Sequence, residues 1–254
     1  MSRWNLSAVL LRPVTSSRSA ILTATSRAAT VAMLAAAVAF ATPTATRAQS
    51  TRFLRQPDVS ATHIVFGHAN DLWIVGREGG NATRLTSSEG AETDPSFSDD
   101  GQWIAFSAQY GGNTDVYVIP AMGGQPERLT WHPAADVVQG WTPDGEILFQ
   151  SGREGVPTKQ WKFYRVPTGG GLPQPLALPQ AYLGGLSGDG AYLAYQEIRQ
   201  SDPEWRNYRG GQAQPISIVS TSTWDRTTPP WEGERQMDPV WMDGVVYYMS
   251  ERDW

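Results

Sequence analysis

Four Asp-Gly pairs recur along this chain at Asp100-Gly101, Asp144-Gly145, Asp189-Gly190 and Asp243-Gly244, at intervals of 44, 45 and 54 residues. Each is followed by a short apolar run: Trp103-Ile104-Ala105-Phe106, Glu146-Ile147-Leu148-Phe149, Tyr192-Leu193-Ala194-Tyr195 and Val245-Val246-Tyr247-Tyr248. A second marker keeps nearly the same beat. Gly79-Gly80 leads to Arg84-Leu85-Thr86, Gly123-Gly124 to Arg128-Leu129-Thr130, and Gly170-Gly171 to Pro175-Leu176, at spacings of 44 and 47. Two independent markers sharing a period in the mid-forties, each tied to strand-like runs, define a repeat whose unit is a propeller blade.

The unit has a regular grammar. A Pro or polar residue opens it, as in Asp94-Pro95, Trp141-Thr142-Pro143 and Asp238-Pro239. The Asp-Gly turn follows, its Gly free to take positive φ, and then the apolar strand. An alternating third strand comes next, in Asp71-Leu72-Trp73-Ile74-Val75, Asp115-Val116-Tyr117-Val118-Ile119 and Lys162-Phe163-Tyr164-Arg165-Val166. The Gly-Gly turn brings the outermost strand. Four short antiparallel strands joined by tight turns make one blade. No window after residue 50 sustains apolar residues at helical spacing, so helix is expected to be nearly absent. The expected fold is therefore all-β: an incomplete β-propeller of about four four-stranded blades plus the start of a fifth. The blades are placed at about 57–86, 94–130, 139–178, 184–224 and 237–254 of a domain spanning 52–254. Blade four carries an insertion from Gln200 to Gln212. The chain ends within the fifth unit, which leads us to expect an unclosed ring.

The first fifty residues are different. They hold five Arg and no Asp or Glu, with an apolar run of fourteen residues from Ala28 to Ala41 and small residues at Thr46 and Ala48. Fourteen residues is too short for a stable bilayer-spanning helix, so residues 1–48 read better as a cleaved signal peptide than as an anchor. An Arg- and Ser-rich, acid-free leader also has the composition of an organellar transit peptide. The leader changes the charge balance. The whole chain carries 20 Lys and Arg against 25 Asp and Glu, and without the five leader arginines the balance is 15 to 25, a net −10. So acidic a body lacks the basic face that nucleic acid or an anionic membrane requires. The absence of cysteine removes disulfides, thiolate metal sites and a Cys nucleophile.

Chemistry-bearing residues are few. His63, His68 and His132 lack the surrounding carboxylates and partners that a metal needs, and His132 before Pro133 reads as a turn residue. Ser187 stands at the repeat position of Ser98 and Thr142, so it reads as a blade-turn residue and not as a nucleophile elbow. The Gly runs have no following helix to make a phosphate cradle. Asp71 and Asp115 recur before the third strand, which favours a structural role accepting backbone hydrogen bonds at an inter-blade corner. No catalytic, cofactor or metal residue is assigned. Trp205, Tyr208 and Arg209 stand apart because only blade four has them. Packing beneath blade four, lining the channel mouth and contacting peptide or a neighbouring domain are the roles open to them.

These residues carry a family resemblance. Ser98-Asp99-Asp100-Gly101-Gln102-Trp103-Ile104-Ala105-Phe106 resembles the repeat of the periplasmic TolB propeller and its relatives. Ile119-Pro120-Ala121-Met122-Gly123-Gly124, the stretch Arg128–Asp136, Gly140–Gly145, Trp205–Gly211 and Asp238-Pro239-Val240-Trp241 narrow the resemblance to the N-terminal six-bladed propeller of the tricorn protease family. That resemblance implies a following seven-bladed propeller, a PDZ-like domain and a serine-peptidase domain whose catalytic Ser, His and Glu have no counterpart in this chain. It also implies peptides in transit, downstream domains of the same polypeptide and homo-oligomerisation as partners, without a cofactor, in a periplasmic or secreted location. The chain is then expected to be a non-catalytic scaffold or gate. The alternatives are a TolB-like interaction propeller and the propeller of another exported hydrolase. Mass spectrometry of the exported protein is expected to find its N-terminus near Gln49; an intact leader on a cytoplasmic protein would refute the signal reading.

Overall fold

The computed structural model describes residues 53–154, 160–199, 210–211 and 213–251. Among these, strands and turns are present and no helix occurs. Eighteen strands assemble into four four-stranded sheets and one two-stranded sheet, each pairing its strands in chain order. Blade one contains β1 (Arg55–Val59), β2 (His63–His68), β3 (Asp71–Gly76) and β4 (Thr83–Arg84). Blade two follows as β5 (Glu92–Phe97), β6 (Trp103–Ala108), β7 (Asp115–Pro120) and β8 (Glu127–Arg128). Blade three is β9 (Asp136–Trp141), β10 (Glu146–Ser151), β11 (Lys162–Pro167) and β12 (Gln174–Pro175). Blade four is β13 (Leu183–Leu186), β14 (Tyr192–Gln196), β15 (Ser217–Ser220) and β16 (Arg226–Thr227), and the fifth sheet pairs β17 (Gln236–Met242) with β18 (Val245–Ser250). First strands of neighbouring blades lie against one another, β1 with β5, β5 with β9, β9 with β13 and β13 with β17. Meander sheets that meet along their first strands form an incomplete β-propeller.

The two sequence markers perform separate jobs. Gly101, Gly145, Gly190 and Gly244 all occupy the turn between first and second strands, with φ of +68°, +82°, +69° and +75°. At the first three of these turns a Ser or Thr three residues earlier closes the corner, whereas Trp241 stands there before Gly244. Trp103 N–H donates to Ser98 Oγ and Tyr192 N–H to Ser187 Oγ, both at 3.0 Å, as Glu146 N–H does to Thr142 Oγ1. The Ser98 and Ser187 hydroxyls donate onward to Asp100 and Asp189, which holds both exposed carboxyls below the usual carboxylate range.

The Arg-Leu-Thr marker ties the outer strand to the third. Leu85 and Leu129 N–H donate to the carbonyls of Leu72 and Val116. In return Leu72 and Val116 N–H donate to Thr86 and Thr130 Oγ1 at 2.9 and 3.0 Å. Arg84 pairs with Asp71 at 2.7 Å and Arg128 with Asp115 at 2.6 Å. This corrects the expectation for the two aspartates. They bind the arginine of their own blade, because the neighbouring threonine already satisfies the backbone donor there.

Two further expectations shift. Pro57, Pro95 and Pro239 do not open their strands but lie inside them, within breaks of register between Arg55 and Asp58, Thr93 and Ser96, and Met237 and Val240. A bulge leaves a residue outside the ladder, so a ring without an N–H is accommodated there. Blade four extends past Trp224 to β16, because its last turn uses Thr221–Trp224 in place of Gly-Gly.

The core lies between blades. Alternate residues of one strand face opposite neighbours. Ile104 and Phe106 pack with Val65, Leu72 and Ile74 of blade one, whereas Ala105 packs with Ile147 and Phe149 of blade three. Leu148 and Phe163 turn the other way, toward Leu193, Tyr195 and Val219 of blade four. Full burial of each such aliphatic or aromatic side chain contributes about 1.5–3 kcal/mol. On β18, by contrast, Val245, Tyr247 and Met249 are more than half exposed.

Thr130→Val keeps the shape of the side chain and leaves Val116 N–H buried without an acceptor, an expected loss of about 1–3 kcal/mol. Chemical denaturation measures it; an unchanged stability would show that the threonine only fills space.

Candidate axial site

The first strands meet around an opening of about 340 Å³ lined from all five sheets, with Gln56, Asp58, Asp94, Gln139, Leu183 and Asp238 among its residues. Its geometry follows from the bulges. Gln56, Asp94 and Asp238 sit at φ of +47°, +53° and +51°, each immediately before the proline of its strand. A left-handed residue turns the strand locally and re-aims its side chain. Aspartate and asparagine pay less for this conformation than most residues.

Side chains of one blade then satisfy the disrupted backbone of the next. Gln56 Oε1 accepts from Asp94 N–H at 3.2 Å, and Asp58 Oδ2 from Phe97 N–H at 2.6 Å. Val138 N–H donates to Ser107 Oγ at 2.9 Å, Gly184 N–H to Gln139 Oε1 at 3.2 Å, and Asp238 N–H to Gln196 Oε1 at 3.3 Å. Two indoles add the same kind of link, Trp141 Nε1–H to Ser96 O at 2.9 Å and Trp241 Nε1–H to Gly185 O at 3.0 Å.

One backbone hydrogen bond recurs at every described blade junction. The N–H groups of Glu92, Asp136, Ala181 and Gln236 donate across to the carbonyls of Asn70, Thr114, Trp161 and Gln214, at 3.0, 2.9, 2.8 and 3.1 Å. Glu92 strengthens the first junction by accepting from Leu72 N–H, the Thr86 hydroxyl and the Tyr110 hydroxyl. Burial raises its carboxyl above the usual range, opposed by those three donors. Asp94 is likewise raised by burial, against hydrogen bonds from Thr93 and Gln56.

The lining therefore offers amide groups and three carboxylates, chemistry suited to hydrogen-bonding an extended chain and favouring cationic groups. Elsewhere, Ser187 belongs to a blade corner, as described. His63 and His68 occupy opposite ends of β2, and the His132 ring accepts Ala134 N–H at 3.0 Å through Nδ1. Among the described residues no three His, Asp or Glu side chains group as metal ligands would. Trp205, Tyr208 and Arg209 lie outside the described residues. The inner-strand bulges were not anticipated from sequence, although the repeated Asp-Pro at 94–95 and 238–239 was their visible signal.

Blades meeting on their first strands around an axial opening define a β-propeller domain. The model of the tricorn protease N-terminal β-propeller domain matches residues 51–254, and the chain belongs to that family. The crystal structure of the tricorn protease superposes with a TM-score of 0.66 at 23% identity, covering 79% of this chain and 20% of that one. A putative TolB from Agrobacterium tumefaciens gives 0.60 at 16% identity, over 75% of this chain and 66% of that one. TolB from Acinetobacter baumannii gives 0.53 at 23% identity, over 78% and 52%. The chain thus spans about one fifth of the tricorn protease it resembles. No curated protein sequence matches it.

Because the folded-state value of Asp94 is raised, the stability owed to its neutral form is present in acid and lost as pH rises through that value. Asp94→Asn, which tolerates the same φ, is expected to flatten this slope above about pH 4, the ordinary carboxylate value. Asp94→Ala is expected to cost about 1–2 kcal/mol throughout from left-handed strain. Denaturation across the pH series checks both, and identical curves for all three proteins would remove Asp94 from the site's energetics.

Proposed function

We propose that this propeller is a non-catalytic portion of an exported, tricorn-like serine protease, acting as a scaffold and as a gate through which peptides reach a proteolytic domain. The observation that carries the reading is the family match over residues 51–254. The axial opening supports it physically. Its amides and carboxylates offer transient hydrogen bonds to a passing backbone, and Val138, Leu183 and Val240 add apolar contact for its side chains. The partners proposed are downstream domains of the same polypeptide, peptides in transit and further copies of the assembly. The proposed location is periplasmic or secreted, which the leader composition favours.

A fluorophosphonate probe, which is captured by an activated serine, tests the parent activity directly. In fractionated cells of the source, the polypeptide recognised by an antibody to this propeller is expected to be exported and to carry the probe. Finding it unlabelled while other serine hydrolases of the same fraction react would overturn the protease reading and leave an interaction propeller.

A further inference from the structure

A second cleft lies away from the axis, between blades three and four on the face that carries the Asp-Gly turns. Its volume is about 490 Å³, and Pro143, Pro175, Leu176, Leu186 and Trp224 supply its apolar surface. Leu176, Leu186 and Trp224 are half-buried and pack against the cluster that joins the two blades, so the floor is continuous with the core. At one end the walls touch, since a Cβ at Gly190 would meet Pro143 Cγ at 2.9 Å.

Trp224 is held at φ +61°. The other blades place glycine where the N–H closes this turn, at Gly79, Gly123 and Gly170, with φ of +92°, +94° and +80°. A bulky aromatic residue in the left-handed region is a true outlier, and such strain persists where the side chain is needed in a particular place. Here it puts an indole into the cleft.

Two carboxylates and one guanidinium line the rim. Asp144 stands on the blade-three turn and Asp189 on the blade-four turn, both exposed. The cation at the rim, Arg165, is shared between Asp144 at 3.7 Å and Glu146 at 3.3 Å, leaving an excess of carboxylate. An apolar floor between two carboxylate-bearing walls complements an apolar side chain flanked by cations.

We infer that this inter-blade groove docks a basic polypeptide segment that inserts a leucine-sized side chain over Trp224 between lysine or arginine residues. The inference is independent of the protease reading, because it concerns a surface off the axis and any partner of that chemistry. The indole is the anchor. The two aspartates supply orientation and salt sensitivity.

Calorimetric titration of the 254-residue chain with the capped peptides Gly-Lys-Leu-Leu-Lys-Gly and Gly-Glu-Leu-Leu-Glu-Gly is the test. Only the basic peptide is expected to bind, with affinity falling as salt rises from about 50 to 300 mM. Trp224→Gly relieves the backbone strain while deleting the indole and is expected to weaken binding by roughly tenfold or more. The double variant D144N/D189N retains the turn acceptors, guards against misfolding in the first variant, and is expected to lose the salt dependence. Equal binding of both peptides, no binding of the basic one, or binding unaffected by both variants would each overturn the proposal.

Discussion

Each blade buries its two faces only against other blades, and the rest of the structure depends on this constraint. Within β6 and β10, consecutive residues feed different clusters: Ile104 and Phe106 serve the blade one–two interface, Ala105 the two–three interface, and Leu148 the three–four interface. A single blade would leave all of these side chains facing water. Stability is therefore a property of junctions, as in other stacked-repeat proteins. The recurring N–H to carbonyl bond at Glu92, Asp136, Ala181 and Gln236 fixes the register of each junction.

Polar residues complete what the apolar faces begin. Asp115 is fully buried and its charge is matched by Arg128, while Asn113 donates to it from the preceding loop. Breaking such a pair is costlier than its net contribution, since a buried charge would be left alone. Arg153 performs a related task in blade three, pairing with Asp136 at 2.6 Å and lying over the rings of Phe149 and Tyr164. The module thus varies between blades while preserving one physical requirement, that a carboxylate at a blade corner finds a guanidinium.

Function enters where regularity is relaxed. The inner strands bulge, and their left-handed Gln56, Asp94 and Asp238 line the axial opening. Blade four replaces a glycine turn with a strained Trp224. Both departures lie on the surfaces proposed to meet polypeptide, one on the axis and one off it. Regular repeats build the scaffold, and the irregular positions give it different surfaces to present.

The sequence by itself determined the repeat and its class. Asp-Gly and Gly-Gly turns need local backbone freedom, and alternating apolar runs need a two-sided sheet; both are short-range requirements written in adjacent residues. It also marked the bulges, through Asp-Pro, without disclosing their meaning. Only the tertiary structure decided that Asp71 and Asp115 pair with Arg84 and Arg128, thirteen residues away in each case. The same holds for Gln56, Ser107, Gln139 and Gln196, which cap backbone groups of the following blade. Their partners lie 31 to 45 residues along the chain. No local propensity encodes such a contact. It arises when two blades close their apolar faces and leave a first-strand N–H beside a polar side chain of the neighbour.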